Sequence, residues 1–109
     1  MIVAIPTDDG VTVSEHFGRS KNFLLVKVEN GRLAEKRLAE NPHNKESDDQ
    51  TGHGKLLKML TDNRVNKVIC FNLNPRMESN LGSLRITVEK SKLNSTIDEV
   101  LRAEVNKKV

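Results

Sequence analysis

Asn30-Gly31 lies between two segments that favour extended backbone, and it constrains the fold more than any other feature of the chain. Both residues tolerate positive φ, so the dipeptide is suited to a two-residue turn whose twist matches antiparallel strands. Residues 23–28 (FLLVKV) therefore read as one strand, and residues 32–39 as its antiparallel return, although the Leu33/Leu38 spacing is only weakly strand-like. Upstream, residues 1–5 form a continuous apolar run stopped by Pro6, which reads as a buried central strand. Asp8-Asp9-Gly10 is a turn signal, with residues 11–13 a brief extended piece after it.

The second half alternates helix and strand signals. Residues 41–54 are polar, contain Pro42 and two glycines, and read as a long loop. Leu56, Leu57 and Leu60 mark a short amphipathic helix over 55–60, followed by a strand over 65–71. A helix over 75–81 opens with Pro75, and a fifth strand covers 84–88. Ser95 caps a last helix in which Ile97, Val100, Leu101 and Val105 share a face. Asp98 and Glu99 in its first turn, and Lys107-Lys108 after it, suit the helix dipole. The order β-β-β-α-β-α-β-α predicts an α/β fold with a mixed five-stranded sheet and helices on its faces, its strand–helix–strand crossovers right-handed and their strands parallel. At 109 residues, with no repeat or linker, the chain is expected to be one domain over 1–109.

Composition narrows the function. No apolar run approaches the roughly 20 residues of a membrane-crossing helix. The first residues lack the basic, apolar and small-residue pattern of a secretory signal, so cytoplasmic residence is expected. Cys70 is the only cysteine, which rules out an intramolecular disulfide and a cysteine-based zinc motif. Its apolar neighbours Ile69 and Phe71 give it a structural role. The excess of 18 basic over 15 acidic residues is small, and the chain has no Trp or Tyr to stack on bases. Nucleic acid is therefore a poor candidate partner, and small anionic ligands are served at least as well.

Ligands of open α/β sheets lie beyond the carboxyl ends of the parallel strands. Three segments are expected there: residues 6–19, 41–54 and 72–76. All three histidines fall in the first two. In Ser14-Glu15-His16-Phe17-Gly18-Arg19, His16 offers a lone pair or a hydrogen bond and Arg19 a permanently charged fork, while Gly18 permits close approach. The plainer alternative has Ser14 capping a helical turn, Phe17 plugging the core, and His16 and Arg19 merely solvated. Gly52-His53-Gly54 is placed directly before a helix, where free N–H groups and the dipole favour an anion; a flexible loop with an exposed histidine explains it equally. His43 is a third contributor or decorates a turn. Asp8-Asp9 invites a two-metal nuclease reading, but adjacent strand residues point to opposite faces, and a turn is the better account. No Gly-x-Ser-x-Gly elbow occurs.

The residues of segment 5–10 (IPTDDG), Val13-Ser14-Glu15-His16-Phe17-Gly18-Arg19, Phe23 with its apolar strand, Glu40-Asn41-Pro42-His43 and Gly52-His53-Gly54 before a Leu-rich helix occur in this order. Together they resemble the dinitrogenase iron–molybdenum cofactor biosynthesis family over almost the whole chain. The resemblance implies a ribonuclease H-like three-layer fold. It also implies a non-enzymatic role in binding or carrying an iron–sulfur or iron–molybdenum cluster, or a precursor, held non-covalently. Cluster donor or acceptor proteins would be the partners. His16 matches the family's histidine and is implied as the metal contact, and Arg19 matches the basic position of the same element. One departure stands out: Asn72-Leu73-Asn74-Pro75-Arg76 replaces a glycine-rich turn, and its asparagine side chains would obstruct a ligand. The single cysteine excludes four-thiolate ligation. The competing readings are a protein-interaction or regulatory domain of the same fold without a cluster, and a metal-dependent nuclease.

Overall fold

The computed structural model describes residues 1–42 and 49–106. The elements are β1 (Ile2–Thr7), β2 (Asn22–Glu29), β3 (Arg32–Glu40), α1 (Asp49–Asp62), β4 (Lys67–Cys70), α2 (Pro75–Ser83), β5 (Thr87–Lys90) and α3 (Ile97–Asn106). They build one sheet in the order β3-β2-β1-β4-β5. The first three strands are antiparallel, and β4 and β5 join parallel to β1. The hairpin forms at the predicted dipeptide. Asn30 (φ 54°) and Gly31 (φ 75°) are both left-handed, and Glu29 faces Arg32 across the turn.

Side chains alternate along the central strands, so each face acquires its own core. Val3 and Ile5 of β1, Val26 of β2 and Ile69 of β4 pack with Ile97, Val100 and Leu101 of α3. Ala4, Phe23, Leu25, Val68 and Cys70 pack on the other side with Leu56 and Leu60 of α1 and Met77 and Leu81 of α2. Burying a side chain such as Phe23 contributes roughly 2–3 kcal/mol. The result is the predicted mixed sheet between helical layers. No helix among the described residues is long and apolar enough to cross a membrane.

Several boundaries differ from the sequence reading, each for a local reason. Pro6 does not stop β1 but pairs with Phe23. Ile2 and Pro6 face the same edge; the Ile2 carbonyl accepts from Asn66 N–H, and the Pro6 carbonyl accepts from Ser14 N–H. Pairing with β4 involves Val3 and Ala4, so the missing N–H of Pro6 falls beyond that ladder. The expected loop over 41–54 is cut short because α1 begins at Asp49. The fourth strand is shorter than predicted. The fifth starts later because Arg85, left-handed at φ 62°, ends α2 while Ile86 N–H bonds back to the Leu81 carbonyl. The cap of α3 is Thr96, whose Oγ1 accepts from Glu99 N–H; Ser95 Oγ instead donates to the Lys92 carbonyl. Lys107-Lys108 lie outside the described residues.

The buried face of α3 also ends differently. Glu104 is buried where Val105 was expected, because Lys67 of β4 receives it. Lys67 Nζ lies 2.6 Å from Glu104 Oε1 and 2.8 Å from Glu89 Oε1, so one ammonium ties α3 to two strands. Burial pulls the Lys67 pKa down, but hydrogen bonds and charge from Glu104 and Glu89 outweigh it and hold the group above its usual value.

Lys67→Met should leave a buried carboxylate without its lysine and cost about 3 kcal/mol in urea unfolding at neutral pH. Because the folded pKa is raised, the lysine's contribution should persist up to its ordinary value of 10.5 and fade only at higher pH. The stability difference between parent and variant, followed against pH, measures this.

Candidate functional site

β1 and β4 are parallel, and β3, reversed twice through the hairpin, runs in the same direction as β1. The chain therefore leaves β1, β3 and β4 at one end of the sheet, where the sequence placed its three candidate segments. The segment after β1 is the best determined.

Thr7, fully buried at the end of β1, organises the first turn: its Oγ1 donates to the Thr12 carbonyl (2.7 Å) and accepts from Gly10 N–H (2.9 Å). Asp9 Oδ1 accepts from the backbone N–H groups of Thr12 and Val11, both at 2.8 Å, and these hold its carboxyl below the usual range. Asp8 spans the loop: Oδ1 accepts from Lys21 N–H (2.9 Å) and Oδ2 from Ser14 Oγ (3.3 Å). Asp8 and Asp9 thus work as turn and loop clamps, as the turn reading expected.

Phe17 is buried and meets Phe23 edge-on, ring centroids 5.1 Å apart, a contact worth roughly 0.5–1.5 kcal/mol beyond its burial. Residues 17–19 form a turn, and Ser20 Oγ donates to the Phe17 carbonyl. From the far end of β3, fully buried Asn41 donates through Nδ2 to the carbonyls of Ser20 (2.8 Å) and Gly18 (3.3 Å). Held at both ends, the turn displays His16 and Arg19 to solvent. Among the described residues neither of these two side chains has a hydrogen-bond or ion-pair partner. Gly18 is not left-handed, and a Cβ added there would meet nothing within 4 Å. Neither the turn nor the packing requires glycine at 18; its effect is to keep that side open.

An open groove of about 340 Å³ runs beside His16, walled by Asp8, Asp9, Ser14, Glu15 and Asn94. Arg19 does not line it, so the imidazole and guanidinium do not share one recess. Three carboxyl-bearing residues, Asp8, Asp9 and Glu15, border it. Sequence reasoning also missed Asn94. Residues 94–97 are brought here because Val13 N–H bonds to the Ser95 carbonyl, Ile97 N–H bonds to the Val11 carbonyl, and Thr12 bridges Thr96. The extended pattern at 11–13 was the available signal.

The other candidates fare differently. Gly52, His53 and Gly54 do not precede a helix but lie inside α1, past its first turn. The free N–H groups of a helix start belong to its first residues, so the anion-nest argument does not apply at 52–54. Of Gly52 and His53 only the backbone placement is described, and His43 lies outside the described residues. After β4, Asn72 Oδ1 accepts from Leu73 N–H, and Asn74, in extended backbone, caps α2 by accepting from Met77 N–H at 2.7 Å. Neither asparagine is left-handed, so the turn has no need of glycine, and the cap fills the start of α2. Cys70 is fully buried; desolvation pushes its thiol up to about 11, against partial relief from Lys90 and a further push from Glu78. A thiol in that state is a poor ligand. Among the described residues no three His, Cys, Asp or Glu side chains converge to hold a bare ion.

The model of the dinitrogenase iron–molybdenum cofactor family matches residues 1–106. The protein MJ0580 of Methanocaldococcus jannaschii is 34% identical over 103 residues, covering 94% of this chain and 83% of its own. The crystal structure of PH0822 superposes with a TM-score of 0.82 at 28% identity, covering 98% of this chain and 92% of the other. The apo form of the orange protein from Desulfovibrio gigas gives a TM-score of 0.77 at 16% identity, covering 99% and 89%, and shows a shared fold.

Asn41→Ala should strip the buried Ser20 carbonyl and the half-buried Gly18 carbonyl of their donor and cost about 2 kcal/mol. Amide hydrogen exchange should accelerate across residues 17–21 before it does in β1. Native Cys70 should resist a thiol-specific disulfide reagent at pH 8 and react fully once unfolded.

Proposed function

Because this chain belongs to the dinitrogenase iron–molybdenum cofactor family, we propose that it is a non-enzymatic cytoplasmic carrier of a metal–sulfur cluster of the iron–sulfur or iron–molybdenum type, or of a precursor. The observation that carries the reading is the rigidly held turn 16–19. His16 and Arg19 are presented to solvent with no protein partner among the described residues, on either side of Gly18. A solvent-facing imidazole free of internal hydrogen bonds is an available metal ligand.

The donor set fits one kind of cargo. A single imidazole does not hold a bare ion, and Cys70 supplies no thiolate. A preassembled cluster brings its own sulfides and needs few protein contacts. In our reading His16 ligates an exposed metal of such a cluster, and Arg19, outside the acidic groove, donates to its anionic surface. Gly18 lets the cluster approach the backbone. His53 and His43 remain assisting candidates on the strength of the sequence resemblance. Cluster donor and acceptor proteins are the partners this role requires. The strand order, with an antiparallel β1-β2-β3 and a parallel β1-β4-β5, supports the ribonuclease H-like label.

A second reading, a protein-interaction or regulatory domain without a cluster, draws support from the turn after β4. There Asn74 occupies the start of α2 that a ligand would otherwise use. The nuclease reading loses its basis, since both carboxylates it needs are engaged in loop hydrogen bonds.

Anaerobic incubation with ferrous iron and sulfide, with and without molybdate, followed by desalting, metal analysis and visible absorption, tests the proposal. The parent should retain a coloured species, and His16→Ala should retain at least about tenfold less with an unchanged melting curve. Gly18→Ala should leave stability within about 0.5 kcal/mol and weaken retention. Equal retention by parent and His16→Ala would sink the site assignment; no retention by the parent would favour the interaction domain.

A further inference from the structure

The helices α1 and α2 end in the same way. At each C-terminus a leucine carbonyl accepts a backbone bond from beyond the helix: Val65 N–H bonds to Leu60 (3.0 Å) and Ile86 N–H to Leu81 (2.9 Å). Inside each bond lies a second, Arg64 N–H to Thr61 and Arg85 N–H to Gly82, both at 3.0 Å. The four apolar residues belong to the same core. This ending requires left-handed backbone at the residue before the apolar one, and glycine usually supplies it. Here both positions are arginine, at φ 59° and 62°, and both are exposed. A side chain in that conformation carries a cost that glycine avoids. The negative pole of a helix end would attract a cation equally from the last turn, without left-handed backbone, yet neither helix has a basic residue there.

β1, β4 and β5 run parallel, so their amino ends share one end of the sheet, opposite the turn that carries His16. Thr87 N–H bonds to the Asn66 carbonyl, and Asn66 N–H to the Ile2 carbonyl, so the three strand starts lie side by side. Neighbouring strands are about 4.8 Å apart. The row along this end carries the Met1 ammonium, Arg64 and Arg85, one cation for each strand. The ammonium bonds to the neutral Val28 carbonyl. Neither guanidinium has a hydrogen-bond or ion-pair partner among the described residues. Carboxylates of the adjoining elements are engaged elsewhere: Asp62 with Lys58, Glu78 with Lys90, and Glu89 with Lys67. Met1 and Leu84, each 42% exposed and next to these charges, add apolar surface. We propose that this end of the sheet docks an acidic segment of another protein, with Arg64 and Arg85 binding its carboxylates. Each guanidinium offers a planar fork of donors matched to a carboxylate. Protein is favoured over nucleic acid because no aromatic ring stands in the row for bases to stack on. The surface needs no bound cluster, so it stands or falls separately from the role proposed for His16.

Fluorescence anisotropy of a labelled hexaglutamate peptide at low ionic strength tests this. The parent should bind, with an affinity that falls as salt is added. Arg64→Gly and Arg85→Gly should each weaken binding at least about threefold, and the double variant at least about tenfold. Their melting temperatures should hold or rise, because glycine is free of the left-handed penalty. Lys92→Gln, which removes the same charge at the other end of the sheet, should bind like the parent. A parent that does not bind, arginine variants no weaker than Lys92→Gln, or a DNA duplex held more tightly than the peptide through the same two arginines would overturn the proposal.

Discussion

β1 has no face turned to water, and the rest of the molecule is arranged around that fact. Val3 and Ile5 point into one apolar layer and Ala4 into the other. Such a strand must have neighbours on both edges and helices over both faces, or its backbone and side chains are left unsatisfied. One neighbour comes from the adjacent hairpin, antiparallel and local. The other, β4, is parallel and arrives only after the chain has crossed a face through α1. The switch from antiparallel to parallel pairing falls on this strand, the kind of position beyond which ligands of α/β sheets tend to lie.

The loop leaving β1 spends most of its polar groups on holding itself together. Thr7, Asp8, Asp9, Ser14 and Ser20 all have internal hydrogen bonds, and Asn41 fastens the turn from the end of β3. Phe17 is driven into the core beside Phe23, and its burial turns His16 and Arg19 outward. The plain and the functional readings of this motif are therefore compatible. The same residues that plug and brace the loop leave an imidazole and a guanidinium exposed at fixed positions. The carboxyl groups bordering His16 set the electrostatics of its groove, which Arg19 does not line.

The edges of the sheet carry a second set of constraints. At one end of α3, Lys67 with Glu104 and Glu89 fixes how the helix lies on β4 and β5. At the other side α3 leaves Leu38 of β3 exposed. Burying the charge in the first place and exposing a leucine in the second have one origin: a single helix of ten residues cannot cover a five-stranded sheet.

Local chemistry written in the chain determined the hairpin at Asn30-Gly31, the alternation of later strands and helices, the turn at Asp8-Asp9-Gly10, and the burial of Phe17 and Cys70. Each depends on residues close in sequence or on intrinsic backbone preference, so periodicity and turn residues expose it. Tertiary structure alone decided the rest. Pro6 continues a strand because its carbonyl meets Ser14; α1 starts six residues earlier than Lys55; Glu104 is buried because Lys67 waits beneath it; Asn94 joins the wall of the His16 groove because residues 11–13 pair with the segment before α3. In each of these the partner lies far along the chain or across the sheet, and no local pattern records which distant group will supply the missing hydrogen bond or charge.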